Sequence, residues 1–238
     1  MSPQPTASLV AVPEDETGGT GPRAPYDPMP HGPAEVGVGP WVGERPAGEQ
    51  YDEQLLAHGD RRNVVDRYRY WTLEAIVADL DTRRHAFHVA IENWQHDFNI
   101  GTVVRTANAF LAREVHIVGN RRWNRRGAMV TDRYQHVRHH ATPADLADHV
   151  HAQGVRLLGI DNLPGSSPLE TLALPRDVCL LFGQEGPGLS GEAREVCDDT
   201  FSIAQFGSTR SINASAAAAI AMHTWVRQHA DLGEAWRG

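Results

Sequence analysis

From His85 onward the apolar positions fall into short runs separated by amphipathic stretches. Ala86 to Glu92 predicts a strand, Ile100 to Leu111 a helix and Val115 to Val118 a second strand. Val155 to Ile160, Val178 to Phe182 and Phe201 to Ile203 predict further strands, with helices near Pro143 to Gln153 and Ser190 to Val196 between them. This alternation predicts an α/β domain over residues 85–230 with a mostly parallel sheet. In such sheets ligands bind beyond the carboxyl ends of the strands, where glycine-rich loops lie. Upstream, Val64, Val65, Tyr68, Trp71, Leu73, Ile76, Val77 and Leu80 recur at loosely helical spacing, so residues 51–84 predict one or two amphipathic helices.

Residues 1–50 have no sustained apolar period. They hold ten of the fifteen prolines and eight of the 22 glycines, which predicts a disordered acidic leader. Residues 231–238 are read as a short C-terminal tail. The longest apolar run of the leader, Leu9 to Val12, is too short for a secretory core or a membrane span. With the leader's seven acids and two arginines set aside, 23 acids face 20 bases, so net charge does not mark a nucleic-acid binder. All 22 basic residues are arginines, and they cluster. Arginine forks recognise phosphate and stack on bases, although a chain without lysine also fits genomic composition bias. Arg61, Arg62, Arg67, Arg69, Arg83 and Arg84 flank the first apolar face, as an RNA-facing surface or as a solvated helix side. Two cysteines, Cys179 and Cys197, make no framework of bridges and fit a reducing cytoplasm. Cys179 falls in a core strand as a small hydrophobe.

Three stretches carry candidate chemistry. Leu180 to Gly191 reads Leu-Leu-Phe-Gly-Gln-Glu-Gly-Pro-Gly-Leu-Ser-Gly, an apolar strand that ends in four glycines around one carboxylate, Glu185. Gly183, Gly186, Gly188 and Gly191 suit either a main-chain cradle for a ligand or a tight turn before a helix. Asn93 to Phe110 reads as a strand end, a polar loop and a helix opening, with Asn99 able to cap the helix and Gly101 allowing a close approach in its first turn. Arg105 follows one turn later. In Thr209-Arg-Ser-Ile-Asn-Ala-Ser215, Ser211, Asn213 and Ser215 are a poor helix interior but suit a turn whose polar side chains enter a site. The alanine-rich helix behind them suits close packing.

A fourth stretch offers arginines and aromatics. Arg121, Arg122, Trp123, Arg125 and Arg126, followed by Arg133, Tyr134, His136, Arg138, His139 and His140, have a single acid among them, Asp132. Such a segment can grip phosphates and stack an exposed base, the usual way single-stranded RNA is held, and the alternative is an exposed polar loop. Metal binding by its three histidines is not expected, since no cysteine or carboxylate joins them at a ligand spacing.

In their order and separation the first three stretches resemble the three motifs of the SpoU (TrmH-like) branch of the SPOUT RNA methyltransferases, from about His85 to Gln228. Asn99, Gly101 and Arg105 match the first motif, Gly183, Glu185, Gly186 and Gly188 the second, and Ser211, Asn213 and Ser215 the third. The resemblance implies a deep carboxyl-terminal trefoil knot, an exception to the rule that chains do not knot. It further implies a homodimer whose two subunits both contribute to each site, S-adenosylmethionine as cofactor, and methylation of a ribose 2′-hydroxyl of tRNA or rRNA. By the same likeness Ile160, Gly183, Glu185, Gly186, Gly188, Ile203, Ser211 and Ile212 surround the cofactor. A ribose hydroxyl is barely acidic at neutral pH, so the transfer needs an aligned oxygen and stabilisation of its developing negative charge. Arg105 is assigned that stabilisation rather than deprotonation, which a guanidinium performs poorly, and a phosphate or water takes the proton. Asn99, Glu185, Ser211 and Asn213 are assigned the orientation of Arg105, the ribose and the loops.

The chain departs from the family pattern at Ser202 to Gly207, which lacks the usual proline and methionine, and at Leu111, where a glycine is common and little effect is expected. It also lacks the separate amino-terminal RNA-binding domain of some relatives. Competing readings are a non-catalytic RNA-binding protein on the same fold and a base methyltransferase. The glycine loop has no lysine followed by serine or threonine, which excludes a phosphate-binding Walker loop. Glu192 after Ser190 breaks the Gly-x-Ser-x-Gly of an esterase.

Overall fold

Both faces of the central strands are buried, which is why they read as unbroken apolar runs. In the computed structural model, which describes residues 37–95 and 99–235, the strands are β1 (His88–Asn93), β2 (Val115–Gly119), β3 (Val137–His140), β4 (Arg156–Ile160), β5 (Ser167–Pro168), β6 (Val178–Phe182) and β7 (Asp199–Ser202). They form one sheet in the order β3-β2-β1-β6-β4-β7-β5, and every pairing is parallel. β1 and β6, at its centre, are buried at every position, while β3 and β5 at the edges are largely exposed. The α/β class and the parallel sheet therefore stand as read from the sequence.

Among the described residues six α-helices accompany the strands: α1 (Glu53–His58), α2 (Leu73–Asp81), α3 (Asn99–Ala109), α4 (Pro143–His151), α5 (Gly191–Val196) and α6 (Ala214–His229). The alternation of side chains along each strand divides the core in two. Val89 and Ile91 join Val103, Val104 and Ala107 of α3 and Ala218, Ala221 and Trp225 of α6. Ala90 and Leu157 join Leu146 and Val150 of α4 and Ala193 of α5 on the other face. Local chemistry fixes the helix starts. Thr142 and Asp145 form a reciprocal capping box on α4 with Pro143 in its first turn, and the Ser190 hydroxyl accepts from the Ala193 N–H of α5.

Four differences from the sequence reading have physical causes. Val137–His140, read as part of a basic RNA-gripping segment, is the edge strand β3. Its apolar content is one valine, so its pairing with β2 leaves no hydrophobic signal. The two-residue β5 is too short for any period to register. Residues 37–50, grouped with the leader by composition, lie against the helical segment: Val38 and Asp60 exchange backbone hydrogen bonds of 2.9 Å each, and Trp41 meets Tyr70 edge-on. The rest of the leader lies outside the described residues. Leu111 takes a left-handed φ of 55°, so the leucine in place of glycine is a strained position costing about 1 kcal/mol rather than a neutral change.

The arginines of the helical segment are engaged with acids. Arg67 and Arg83 pair with Asp79, Arg69 with Asp66 and Arg84 with Asp81. Arg84, nearly buried, also donates to the Tyr134 carbonyl at 2.8 Å and so ties this segment to the sheet. At its centre Asp60 is fully buried, accepting from Arg62 Nε at 2.9 Å, Arg62 Nη2 at 2.7 Å and the Tyr70 N–H at 3.0 Å. Burial opposes the charge, but these hydrogen bonds outweigh it and hold the Asp60 carboxyl below the usual carboxylate range. The resulting stability is complete above the unfolded pKa of about 3.9 and is lost as pH falls through the depressed native value. Asp60→Ala, which strands Arg62 and the Tyr70 N–H, is expected to cost about 3 kcal/mol, read as a lower urea midpoint. A midpoint within error of the parent would remove Asp60 as the anchor of this segment.

Candidate active site

Because all strands are parallel, the carboxyl ends of β1, β6, β4 and β7 lie side by side along one edge, and the loops leaving them meet there. Polar side chains tie these loops together. Glu92 near the end of β1 is fully buried, and its carboxylate accepts from Trp94 Nε1 and from the Ser190 N–H, both at 2.8 Å. Gln184 Oε1 accepts from the N–H groups of Trp94 at 3.1 Å and Gln95 at 2.7 Å. Asp161, just after β4, accepts from the Leu189 N–H at 2.9 Å, and Asn162 Nδ2 donates to the Arg210 carbonyl at 2.9 Å. Apart from the Trp94–Glu92 bond, these links join segments far apart in sequence.

The glycine loop closes on itself. Gln184 and Gly188 exchange backbone hydrogen bonds of 3.2 and 3.1 Å. A Cβ on Gly183 would lie 2.0 Å from the Gly188 carbonyl carbon and 2.2 Å from the Leu189 nitrogen, so only glycine admits the returning backbone. Gly188 has φ of 72°, and a Cβ there would meet the Asp161 carboxylate at 2.5 Å. Of the two readings of these glycines the structure shows the tight turn, and the same loop lines the cavity described below. Gly101 also serves a close approach, to the turn at Arg125–Ala128: its Cβ would lie 2.7 Å from the Ala128 nitrogen.

The loop carries Glu185 to a three-residue junction. Asn99 Nδ2 donates to Glu185 Oε2 at 3.0 Å, and Asn213 Nδ2 donates to Asn99 Oδ1 at 2.9 Å and to Glu185 Oε1 at 3.2 Å. Asn213 Oδ1 caps α6, accepting from the Ser215 and Ala216 N–H groups and from the Ser215 hydroxyl at 2.6 Å. That cap fixes which way the Asn213 amide faces, leaving its nitrogen for Asn99 and Glu185. One residue from each of three distant stretches thus meets the other two, and Ser215 holds the third in place.

Beside this junction lies a cavity of about 480 Å³, within the range of small-molecule sites. Ile160, Gly183, Glu185, Gly186, Gly188, Ile203, Ser211 and Ile212 all line it, together with Phe182, Asn213 and Ala217. Asp161, Asn162, Gln184 and Arg210 line it too and were not singled out in the sequence, although an Asp-Asn pair directly after an apolar run marks a strand's carboxyl end. Arg105 stands apart, exposed on α3 and outside both the junction and the cavity lining.

Arg121, Arg122, Arg125, Arg126 and Arg133 are exposed. Their segment is held to the site edge by Asn93, whose Nδ2 donates to the carbonyls of Asn120 at 2.6 Å and Arg122 at 2.9 Å. Trp123 is half-buried against the core, with the Arg125 guanidinium 5.5 Å from its ring centroid, and Arg125 also reaches Asp132 at 3.3 Å. His140 is buried and bonded to His116, so it does not belong to this exposed surface, and Arg138 is exposed but paired with Glu114.

The model of the SpoU rRNA methylase family matches residues 86–223, more than half of the chain. The chain belongs to that family. Among similar proteins is the tRNA (guanosine(18)-2′-O)-methyltransferase of Escherichia coli K12, 29% identical over 157 residues that cover 65% of this chain and 69% of the relative. The crystal structure of the SpoU methyltransferase AviRb from Streptomyces viridochromogenes, in complex with the cofactor AdoMet, superposes with a TM-score of 0.56 at 27% identity. The match covers 63% of this chain and 60% of AviRb, less than two thirds of its length. A TrmH/SpoU tRNA-modifying enzyme of A. aeolicus has a TM-score of 0.58 at 20% identity over 66% of this chain and 81% of its own, a likeness of fold. The SpoU match and the site coincide, since it spans the junction residues Asn99, Glu185 and Asn213.

Proposed function

We propose that this SpoU-family protein is an S-adenosylmethionine-dependent RNA methyltransferase that modifies a ribose 2′-hydroxyl of tRNA or rRNA. The observation that carries this reading is the meeting of Asn99, Glu185 and Asn213 beside a glycine-edged cavity. The cavity fits the cofactor. Ile160, Phe182, Ile203, Ile212 and Ala217 offer apolar surface for a purine, and the loop around Gly183 to Gly188 brings main-chain polar groups close where a side chain would block them. Arg210 on the same lining supplies a cation suited to the carboxylate of the methionine portion. When bound, S-adenosylmethionine supplies an electrophilic methyl on a sulfonium.

The side chains of the chain itself then do the rest. Asn99 and Asn213 hold Glu185 and with it the glycine loop, so the cradle keeps its shape. Ser211 lies at the cavity wall, where its hydroxyl orients bound groups. Arg105 stabilises charge that develops on the ribose oxygen. Its exposure outside the cavity lining supports a homodimer in which Arg105 of one subunit faces the cavity of the other. Arg121, Arg122, Arg125, Arg126 and Arg133 form the phosphate-gripping surface, with Trp123 serving as a packed base under Arg125.

The loops after β4, β6 and β7 bond to one another across a single edge, which supports a trefoil knot in this part of the chain. Among the described residues no helix is long and apolar enough to cross a membrane, and both cysteines are free, which supports a reducing, cytoplasmic setting. Residues 1–50 and 231–238 are assigned no part in the chemistry.

The test is incubation of the purified chain with methyl-labelled S-adenosylmethionine and total RNA, followed by size separation. Label in the tRNA or rRNA fraction is the expected result. Cofactor binding without label in any fraction, even in RNA from cells lacking this protein, would favour the RNA-binding reading instead.

A further inference from the structure

On the face of the sheet covered by α4, and away from the loops of the active site, four histidines and one glutamate are gathered. His88 opens β1, Glu114 immediately precedes β2, His116 lies in β2, His140 ends β3 and His149 lies on α4. His88 Nδ1 is 3.0 Å from His116 Nε2, and Glu114 Oε2 lies 3.9 Å from the first, 3.8 Å from the second and 3.3 Å from His149 Nε2. His88 and His116 are buried, while Glu114 and His149 are partly open to solvent.

We propose that His88, Glu114 and His116 form a structural site for a divalent transition metal of the zinc class, with a water as the fourth ligand. Imidazole nitrogens and a carboxylate are the donor set zinc prefers, and four-coordinate bonds of about 2.0–2.2 Å place neighbouring donors ~3.4 Å apart. The three mutual separations of His88 Nδ1, His116 Nε2 and Glu114 Oε2, 3.0, 3.8 and 3.9 Å, bracket that spacing.

A hydrogen-bonded relay of neutral imidazoles is the competing account. His149 belongs to the surroundings on either account: Gln153 Nε2 donates to its carbonyl at 3.1 Å and contacts its Nε2 at 2.9 Å, which occupies the one lone pair of that nitrogen. His88 Nε2 is buried without a hydrogen-bond partner among the described residues, which leaves Nδ1, the atom facing His116 and Glu114, as the engaged nitrogen of that ring. A cation held by His88 Nδ1, His116 Nε2 and Glu114 Oε2 accounts for the convergence of these three donor atoms.

The surroundings have the character of outer-shell support. His116 Nδ1 lies 2.9 Å from His140 Nε2, a bond that presents the other His116 nitrogen as a lone pair to the site. Arg138 Nη2 donates to Glu114 Oε1 at 2.9 Å and holds the carboxylate with Oε2 inward. The spacing argument from sequence missed this set because it considered His136, His139 and His140 along one segment. The ligands instead come from adjacent strands in register, Val89 of β1 pairing with Val115 of β2. His88 and Asn93 are opposite ends of β1, ~16 Å apart at the usual rise, so the metal would clamp β1 to β2 and take no part in methyl transfer.

The test uses untagged full-length protein stripped with chelator and titrated with cobalt(II), then with zinc. Expected are one equivalent of cobalt with the intense visible bands of tetrahedral coordination, displaced by zinc, and a melting temperature that rises with zinc concentration. Glu114→Gln and His116→Gln are each expected to weaken zinc binding ~100-fold while keeping the parent circular dichroism. The rise in melting temperature needs no variant, so misfolding of either one leaves the test intact. Absence of tetrahedral bands and of any zinc-dependent melting shift in the parent would overturn the proposal. So would zinc binding undiminished in both variants, which would point to surface histidines.

Discussion

Arg105→Ala is expected to lower the rate of methyl transfer ~10²–10³-fold while leaving affinity for S-adenosylmethionine unchanged. The first half follows from the chemistry of the acceptor. A ribose hydroxyl becomes anionic as its bond to the methyl forms, and a fixed guanidinium is worth far more to that charge than to the neutral ground state. The second half follows from position, since Arg105 lies outside the cavity lining. Single-turnover kinetics with saturating RNA, beside calorimetric titration of the cofactor, separate the two. If Arg105 of one subunit serves the cavity of the other, mixing Arg105→Ala with a cofactor-dead variant restores activity. A statistical mixture gives half heterodimers, each with one complete site, so about a quarter of parental activity returns. No recovery on mixing would place Arg105 and its cavity in the same subunit.

Gly183→Ala is expected to weaken cofactor binding ~100-fold and to lower the stability of the chain by about 2 kcal/mol. The new methyl would overlap backbone atoms of Gly188 and Leu189 at 2.0–2.2 Å, and neither can turn aside as a side chain can. The loop must open, and the Gln184–Gly188 bridge, the bond from Leu189 to Asp161 and the reach of Glu185 toward Asn99 and Asn213 open with it. Gly191→Ala is the matching control, because a Cβ there meets nothing within 4 Å and falls in the first turn of α5. It is expected to leave both quantities near the parent values. Calorimetric titration and a melting curve on the two variants check this. A Gly183→Ala protein that binds cofactor as the parent does would remove the close backbone approach from the account.

The parts of this structure that were legible in the sequence are those where a single requirement decides the residue. The central strands had to be apolar on both faces, so Val178–Phe182 is visible without any structure. The glycine loop had to let backbone pass backbone, so Gly183 and Gly188 mark it. Asn99, Glu185 and Asn213 could be selected from their motifs, but their direct contact could not be derived from spacing, because 86 and 28 residues separate their positions. Asn213 also illustrates a shared duty: its oxygen starts a helix while its nitrogen serves the site, and a polar residue before an alanine run signals only the first.

What escaped sequence reading was whatever depends on neighbours across the sheet. β3 reads Val-Arg-His-His and looks like basic loop, because its edge position asks little hydrophobicity of it. The histidine and glutamate cluster is assembled from three strands and a helix and has no linear pattern at all. Glu92, an acid inside a buried strand, was taken as part of the strand's run, yet its two hydrogen bonds hold Trp94 and Ser190 at the mouth of the site. The arginines of residues 61–84 read from sequence as either an RNA-facing surface or a solvated helix side, and nearby aspartates engage Arg62, Arg67, Arg69, Arg83 and Arg84.

The measurement that tests the central claim most directly is the chemical position of the transferred methyl. RNA labelled by the purified protein is hydrolysed in alkali, which needs a free 2′-hydroxyl to cleave each linkage. Label recovered in alkali-resistant dinucleotides, and absent when Arg105→Ala replaces the parent, is the predicted result. Label recovered in mononucleotides would place the methyl on a base, and would contradict ribose methylation at this site.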